Sequence, residues 1–336
     1  MVGGISLFVS RIAYILTMFL NSFLIYLTIH HTKRITGTYK HMITTFATFG
    51  MIFSTMDLLI RPNIIRHRNR FTYKTLLTRI HYIPAAYCSV YSMILSFLTV
   101  QYVYRCCHLV RPEWYKYFKG WNLLWWIGYS FLCGFTWGSL SYHFAYPNSY
   151  SKDYVRRELS EQYNANIDDI SSFIMVAYKN NNKGARELVW NSVICIIGTM
   201  GLMGTQYTVM MVCGVIMYKK IHKDLTNTSS AHSKLQKQFF KALICQLVAP
   251  SILVHLPAVP ILLIPFFDIE ISIQLWLVVY FFSFYPCIDT LILIKVVSEY
   301  RYAIRKIAKR YASRFIEFAL SKDTEATNTN PALEMM

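Results

Sequence analysis

Charged residues cut this chain into long apolar blocks, and the block lengths predict helices that cross a bilayer. Seven blocks stand out, approximately Ile12–His30, His41–Ile60, Pro84–Tyr104, Asn122–Ala145, Leu188–Tyr218, Phe239–Phe267 and Ile271–Ile294. A hydrocarbon core of about 30 Å needs about 20 helical residues, which these blocks supply. The sixth organises the rest. From Ala242 to Phe267 its 26 residues carry no charge at neutral pH, His255 aside. As an ideal helix this run spans about 39 Å at roughly 1.5 Å per residue, enough to cross with tilt. Pro250, Pro257, Pro260 and Pro265 would break a soluble core helix. A membrane bundle tolerates them, because neighbouring helices re-satisfy the freed carbonyls. The block therefore reads as a kinked span entered from a lysine-rich loop.

Past the seventh block the period changes. Ile304, Ile307, Tyr311, Phe315 and Phe318 recur at three and four residues, while Arg301, Arg305, Lys306, Lys309, Arg310 and Arg314 cover the other faces. This predicts a basic amphipathic helix over 298–320, lying along the inner membrane surface. A plain solvated helix would leave that stripe uncovered. Ser321–Met336 is polar and reads as a disordered tail. The predicted fold is an all-α membrane protein: a seven-transmembrane helix bundle over 1–297, a juxtamembrane helix and a tail.

Composition agrees. Hydrophobic residues make up 54% and charged residues 15% of the 336, with mean hydropathy +0.32. Soluble chains carry about 25% charged residues. The net charge of +17 comes from residues that punctuate apolar blocks and form no continuous stripe. An anionic leaflet, and not nucleic acid, is the partner this implies. The eight cysteines form no CxxC pair, so neither a zinc site nor a secreted disulfide framework is indicated. The first ten residues show no leading positive charge and no small-residue cleavage site, which predicts that the first helix is its own insertion signal.

Orientation follows from Lys and Arg on alternate sides: 21 on the side of the 1–2, 3–4 and 5–6 connections and the tail, against 13 on the other. The richer side is predicted to be cytoplasmic, with the N-terminus outside. The 2–3 connection runs against the count, with Arg61, Arg66, Arg68, Arg70, Lys74 and Arg79 and no acid. Asn227, the one glycosylation sequon, falls in a connection placed inside and reports on the topology.

Catalysis finds little support. The ten histidines are scattered, there is no HExxH or GxSxG, and Lys295 sits at the inner end of the seventh span, where a snorkelling lysine is ordinary. No cofactor is implied. A channel or transporter would leave several ionisable groups along a path, and here Asp57 and Asp289 are the main intramembrane acids. Placed by helical rise, they lie near opposite faces of the membrane and form no relay. Asp57 precedes Arg61 by four, so an intrahelical pair and a pocket-lining role are both open. Asp289, after Pro286, is placed near the inner end at a depth similar to Arg105. Either the two meet and hold a resting bundle closed, or each snorkels separately. His255, with Tyr91, Trp276 and Tyr280 on neighbouring outer halves, marks an apolar pocket with few polar handles; core packing is the other reading. Asn21 and Gln206 read as interhelical hydrogen bonds, and Gly198, Gly201 and Gly204 as a close-packing face.

Five stretches carry a resemblance: GTYKHMI (Gly37 to Ile43), FSTMDLLIRP (Phe53 to Pro62), KYFKGWN (Lys116 to Asn122), LQKQFFKALICQLVAPSILVHLP (Leu235 to Pro257) and FYPCIDTLILI (Phe284 to Ile294). Together they resemble the nematode seven-transmembrane chemoreceptors, in the str and srj group to which the diacetyl odorant receptor belongs. The resemblance runs from about Asn21 to Ile304. It implies a G-protein-coupled chemosensory (olfactory) receptor in the cell membrane of sensory cilia. Such a receptor detects a small odorant or pheromone-like molecule and signals to a heterotrimeric G protein. Where the family often reads LDP, this chain has Ile288–Asp289–Thr290; Tyr104–Arg105 is its nearest equivalent of a DRY motif. Cys88 is placed for an outer-loop disulfide, but Tyr146–Glu187 contains no cysteine to meet it. On this reading Pro250 and Pro286 bend their helices, and output runs through Arg105, Asp289, Lys219, Lys220, Lys237 and Lys241. A channel or transporter without G-protein coupling is the alternative, and a ligand-free trafficking protein a further one.

Overall fold

The computed structural model describes residues 2–32, 35, 37–60, 63–67, 70–74, 82–145, 172–180, 185–224, 231–267, 273–274 and 276–328. Long helices dominate, as uninterrupted apolar sequence in a bilayer requires, since each backbone donor must be satisfied within its own segment. They are α1 (Val2–Tyr26), closed by a π-helical turn Leu27–His31, α2 (Gly37–Ile60), α3 (Ile83–Val110), α4 (Asn122–Phe144) and α5 (Trp190–Asp224). The sixth pass is composite: α6 (Ala231–Pro250), a π turn Ser251–His255, α7 (Leu256–Leu263) and a 3-10 turn Ile264–Phe267. α8 (Trp276–Val296) and α9 (Ser298–Asn328) complete the chain.

Among the described residues, five helices are long and apolar enough to cross a membrane, or six if α8 and α9, bent by 85° at Val297, count as one. α4 falls below that test because Trp, Tyr, Gly and Ser dilute its Leu and Phe. Its packing is nonetheless that of a bundle member. Bulky apolar side chains such as Phe19, Trp125, Phe135 and Ile197 face outward, as lipid contact demands. α3 is the central helix, with 67% of its most apolar window buried against 22% for α5.

Short strands tie one end of the bundle together. β1 (Asn63–His67) and β2 (Arg70–Lys74) form a hairpin in the α2–α3 connection. β3 (Ser172–Val176), from the α4–α5 connection, pairs antiparallel with β2. β4 (Tyr178–Asn180) and β5 (Arg186–Leu188) make a separate ribbon. β6 (Ile273–Gln274), just before α8, pairs with β1. The resulting sheet, in order β3-β2-β1-β6, recruits all three connections predicted to share a side. That is what seven alternating passes require.

Several boundaries differ from the sequence expectation. α8 begins at Trp276, five residues later than Ile271, because Ile273 and Gln274 are taken into the sheet. The unpredicted hairpin absorbs three of the six basic residues of its loop, Arg66, Arg70 and Lys74, as strand positions. α3 continues past Tyr104 to Val110 and α5 past Tyr218 to Asp224, since neither extension contains Gly or Pro. The amphipathic helix runs to Asn328 rather than ending at Leu320, for the same reason; the next breaker is Pro331. The final residues, 329–336, and Asn227 lie outside the described residues.

Buried polar side chains cross-link the helices. Thr290 Oγ1 donates to Asn21 Oδ1 at 2.7 Å, joining α8 to α1, and Gln206 Nε2 donates to Ser96 Oγ at 2.6 Å, joining α5 to α3. Both expected interhelical bonds are therefore present. Thr28 gives its proton to Leu24 O at 2.7 Å, so Tyr300 donates to Thr28 at 2.9 Å and pins α9 beneath α1. Burial pushes the Tyr300 phenol above its ordinary value, which keeps it a donor.

The close-packing glycines are only partly those expected. A Cβ on Gly198 would meet Leu140 at 2.9 Å, but one on Gly201 or Gly204 would meet nothing within 4 Å. The tight seam is α3–α4 instead: a Cβ on Gly134 would lie 2.8 Å from Ser89 O, and one on Gly138 would collide with Ser89 Oγ. Gly134→Ala is expected to lose about 1–3 kcal/mol through this overlap. Gly201→Ala, gaining helix propensity in open space, should hold or raise stability. Thermal unfolding of the two variants in detergent checks the contrast, and equal midpoints would refute the seam.

Candidate functional site

Pro250 has no N–H to give, and directly after it the helix widens into the π turn Ser251–His255. The turn projects Ser251 and His255, four residues apart, toward α5 and α3. His255 Nε2 lies 2.5 Å from Tyr91 Oη, His255 Nδ1 lies 2.7 Å from Tyr207 Oη, and Tyr207 Oη lies 3.0 Å from Ser251 Oγ. Ser251 Oγ in turn donates to Leu247 O at 2.6 Å, because a carbonyl can only accept.

That last bond orients the chain. With its single proton committed to Leu247, Ser251 accepts from Tyr207. Tyr207 then has no proton for His255 and must accept from Nδ1–H. The ring meets no carboxylate among the described residues, and an unpaired buried charge is costly, so it is the neutral imidazole. Its Nε2 therefore accepts from Tyr91 O–H. Three helical passes are joined by one directed series of bonds, at whose head the Tyr91 oxygen keeps its lone pairs.

Aromatic rings surround Tyr91. Phe282 (5.3 Å between centroids) and Trp137 (6.3 Å) stand edge-on, and Phe53 lies at 6.0 Å. Phe53 also stacks on Tyr87 at 4.9 Å, which leads to the second polar centre. Asp57, 3% exposed, accepts from Tyr87 Oη at 2.9 Å and from Ser283 Oγ at 2.5 Å, linking α2, α3 and α8. The competing partner, Arg61, lies outside the described residues.

At the opposite end Arg105 is buried rather than snorkelling. Its guanidinium sits 3.4 Å from the Tyr39 ring centroid and 4.0 Å from that of Phe239, and Nη1 donates to Gln236 Oε1 at 3.1 Å. It forms no ion pair with Asp289. Their depths differ: Asp289 sits with Asn21, Gly50 and Ile94, and Ile94 is 11 residues or about 16 Å along α3 from Arg105. The late start of α8 accounts for much of the mismatch, since it moves Asp289 outward by more than a turn. Asp289 faces the side-chain amide of Gln246, while both amide atoms of Gln101 and Nε and Nη2 of Arg105 find no hydrogen-bond partner among the described residues.

The structure thus brings together Tyr91 and His255 and places Asp57 one aromatic layer away. Tyr280 is partly buried on α8, one turn before Ser283, and Trp276 opens the same helix with a side chain outside the described set. Pro250 and Pro286 are buried, the latter packed toward Gly50. Lys219 and Lys241 are exposed, while Lys220 and Lys237 are partly buried. Tyr207, Ser251, Ser283, Tyr87, Phe53, Phe282 and Trp137 escaped the sequence reading. One signal was available: Ser251 precedes His255 by four, the spacing of neighbours on one helical face.

The chain has relatives over most of its length. The family profile described as "Serpentine type 7TM GPCR chemoreceptor Str" matches residues 6–305. The G-protein coupled receptor str-33 of Caenorhabditis elegans is 38% identical over 308 residues, covering 89% of each chain. Serpentine receptor class r-10 of the same nematode is 30% identical over 282 residues, 80% of each chain. Serpentine receptor class J-38, also of Caenorhabditis elegans, is 23% identical, with 80% of this chain and 82% of that one aligned.

Proposed function

This chain belongs to the Str family of serpentine seven-transmembrane chemoreceptors, receptors and not enzymes, and from that premise we propose how it receives and passes on a signal. A small, largely apolar odorant or pheromone-like molecule enters from outside and lodges against the aromatic rings around Tyr91. Its polar end is a hydrogen-bond donor, an alcohol or amine, met by the lone pairs of the Tyr91 oxygen. The observation that carries this reading is the directed series from Tyr91 through His255 and Tyr207 to Ser251, which links the aromatic cluster to the break in the sixth pass. Occupancy favours one of two bundle packings; a ligand shifts such an equilibrium only by its differential affinity.

In the resting packing Gln236 and Phe239 of α6 hold Arg105 of α3. In the active one α6 pivots at Pro250 and releases Arg105. The freed inner face, with Lys219, Lys220, Lys237 and Lys241, engages a heterotrimeric G protein. The buried Gln101 amide, unpaired among the described residues, supports a second packing in which it finds partners. The chain acts in the cell membrane, in sensory cilia. Expression with a promiscuous G protein and a screen of volatile alcohols and amines tests the proposal. A ligand-evoked current in cells without G-protein signalling would favour a channel instead.

The same proposal sets the N-terminus outside. Asn227 then lies in the cytoplasm, and the chain is expected to migrate identically before and after glycosidase treatment. A sequon engineered at the N-terminus should acquire sugar; glycan on Asn227 would reverse the map.

A further inference from the structure

Ten or more residues along α6 from His255, the helices α6 and α8 and the first turn of α9 line a groove of about 840 Å³. Its two walls have the same sequence logic. On α6, Lys241 and Cys245 line the groove, and Ile244 and Val248 extend their stripe at intervals of three, four and seven beside it; on α8, Ile288, Leu291, Ile292 and Lys295 line it at the same intervals. Each stripe is apolar over two turns and ends in a lysine. The helices run in opposite directions, so both lysines fall at the inner end. Leu291 in the groove, and Ile244 and Val248 beside it, are 45%, 40% and 44% exposed, an apolar surface open to lipid.

The rim is cationic. Lys241, Lys295 and Arg301 line the groove, no acid does, and none of the three pairs with a carboxylate among the described residues. Gln238 adds a neutral donor. Its Oε1 accepts from both the N–H and the Oγ–H of Ser298 at 2.8 Å, which turns its NH₂ group free. The 85° bend between α8 and α9 sets this rim where a spanning helix gives way to one along the surface, at headgroup depth.

We propose that this groove is a binding site for one anionic phospholipid of the inner leaflet, its phosphate held by Lys241, Lys295 and Arg301 and an acyl chain lying between the two apolar stripes. A water-soluble anion would use the rim and leave the stripes bare, so the chemistry selects a lipid. Bound there, the lipid joins the moving sixth pass to α8 and α9, and its release or retention biases the bundle.

The test uses the full chain in phosphatidylcholine nanodiscs containing phosphatidylserine, with native mass spectrometry reading the retained lipid. Wild type should keep phosphatidylserine in preference to phosphatidylcholine. Each basic group near a charged surface contributes about fivefold, so the K241Q/K295Q/R301Q variant should bind on the order of a hundredfold more weakly. All three side chains are exposed, and unchanged helical circular dichroism checks the fold. Leu291→Trp, which fills the groove and keeps every charge, should also lose the lipid. Retention by either variant would overturn the proposal, as would full competition by soluble glycerophosphoserine. So would a triple variant that keeps its lipid but loses G-protein activation in pure phosphatidylcholine, which would make the rim a protein-docking surface.

Discussion

Cells expressing His255→Phe are expected to need about ten- to a hundredfold more of any activating compound than wild type. The substitution keeps an aromatic ring among Tyr91, Tyr207 and Phe282 but removes the acceptor for Tyr91 O–H and the donor for Tyr207. A buried donor left unsatisfied costs about 1–3 kcal/mol, and about 1.4 kcal/mol is a factor of ten in affinity. The loss falls on ligand binding because His255 holds the Tyr91 hydroxyl in the orientation the ligand meets. Tyr207→Phe alone should cost less, since it leaves the Tyr91 bond intact. Added to His255→Phe it should cost almost nothing further, because its partner is already gone. Dose–response curves for both single variants and the double, normalised to surface expression, decide the matter. Additive losses, or a wild-type curve for His255→Phe, would show that the series is scaffolding.

Gln236→Ala should raise ligand-independent G-protein activation roughly tenfold or more. The bond it removes is charge-assisted, and such bonds contribute about 1.5–3 kcal/mol. Lost from the resting packing alone, that energy passes directly into the equilibrium between the two states. Phe239→Leu should act in the same direction, since a desolvated cation–π contact contributes up to about 2 kcal/mol and the guanidinium lies 4.0 Å from that ring. Arg105→Ala behaves differently: it frees α6 but deletes the group offered to the G protein, so basal and stimulated signalling both fall. Arg105→Lys keeps the charge but not the planar stack between Tyr39 and Phe239, and should be partly active. Measuring basal nucleotide exchange on a G protein in membranes separates these cases. Unchanged basal activity in Gln236→Ala would remove the latch from the mechanism.

The inner latch shows why pairing by charge and depth went astray. Counting residues from predicted helix ends sets Arg105 and Asp289 at one depth, and both ends lie elsewhere in the structure. Ile273 and Gln274 were drawn into the sheet, and α3 ran on to Val110. An error of five residues is about 7.5 Å of helix, more than any side-chain contact spans. The partners Arg105 does take, Gln236, Tyr39 and Phe239, are neutral, and nothing in their local sequence announces that they face a cation. The contact between Tyr91 and His255 was more legible, because its signal was local. His255 lies inside the uncharged sixth block, five residues after Pro250, and Tyr91 sits on the helix with the most continuous apolar surround. Tyr207 was one of 25 tyrosines until the fold set it beside His255.

Transfer free energy acts on each stretch of chain separately, so the sequence by itself determined the all-α membrane bundle, the helix broken at Pro250 and the basic helix that follows Val297. Partner choice was left to the tertiary structure. It decided that α4 packs through Gly134 and Gly138, that three connections share one sheet, that Asp57 is held by Tyr87 and Ser283, and that a histidine, two tyrosines and a serine form one series of bonds. The physical reason is reach. A hydrogen bond tolerates a few tenths of an ångström, while a helix boundary read from hydropathy is uncertain by a turn, about 5 Å.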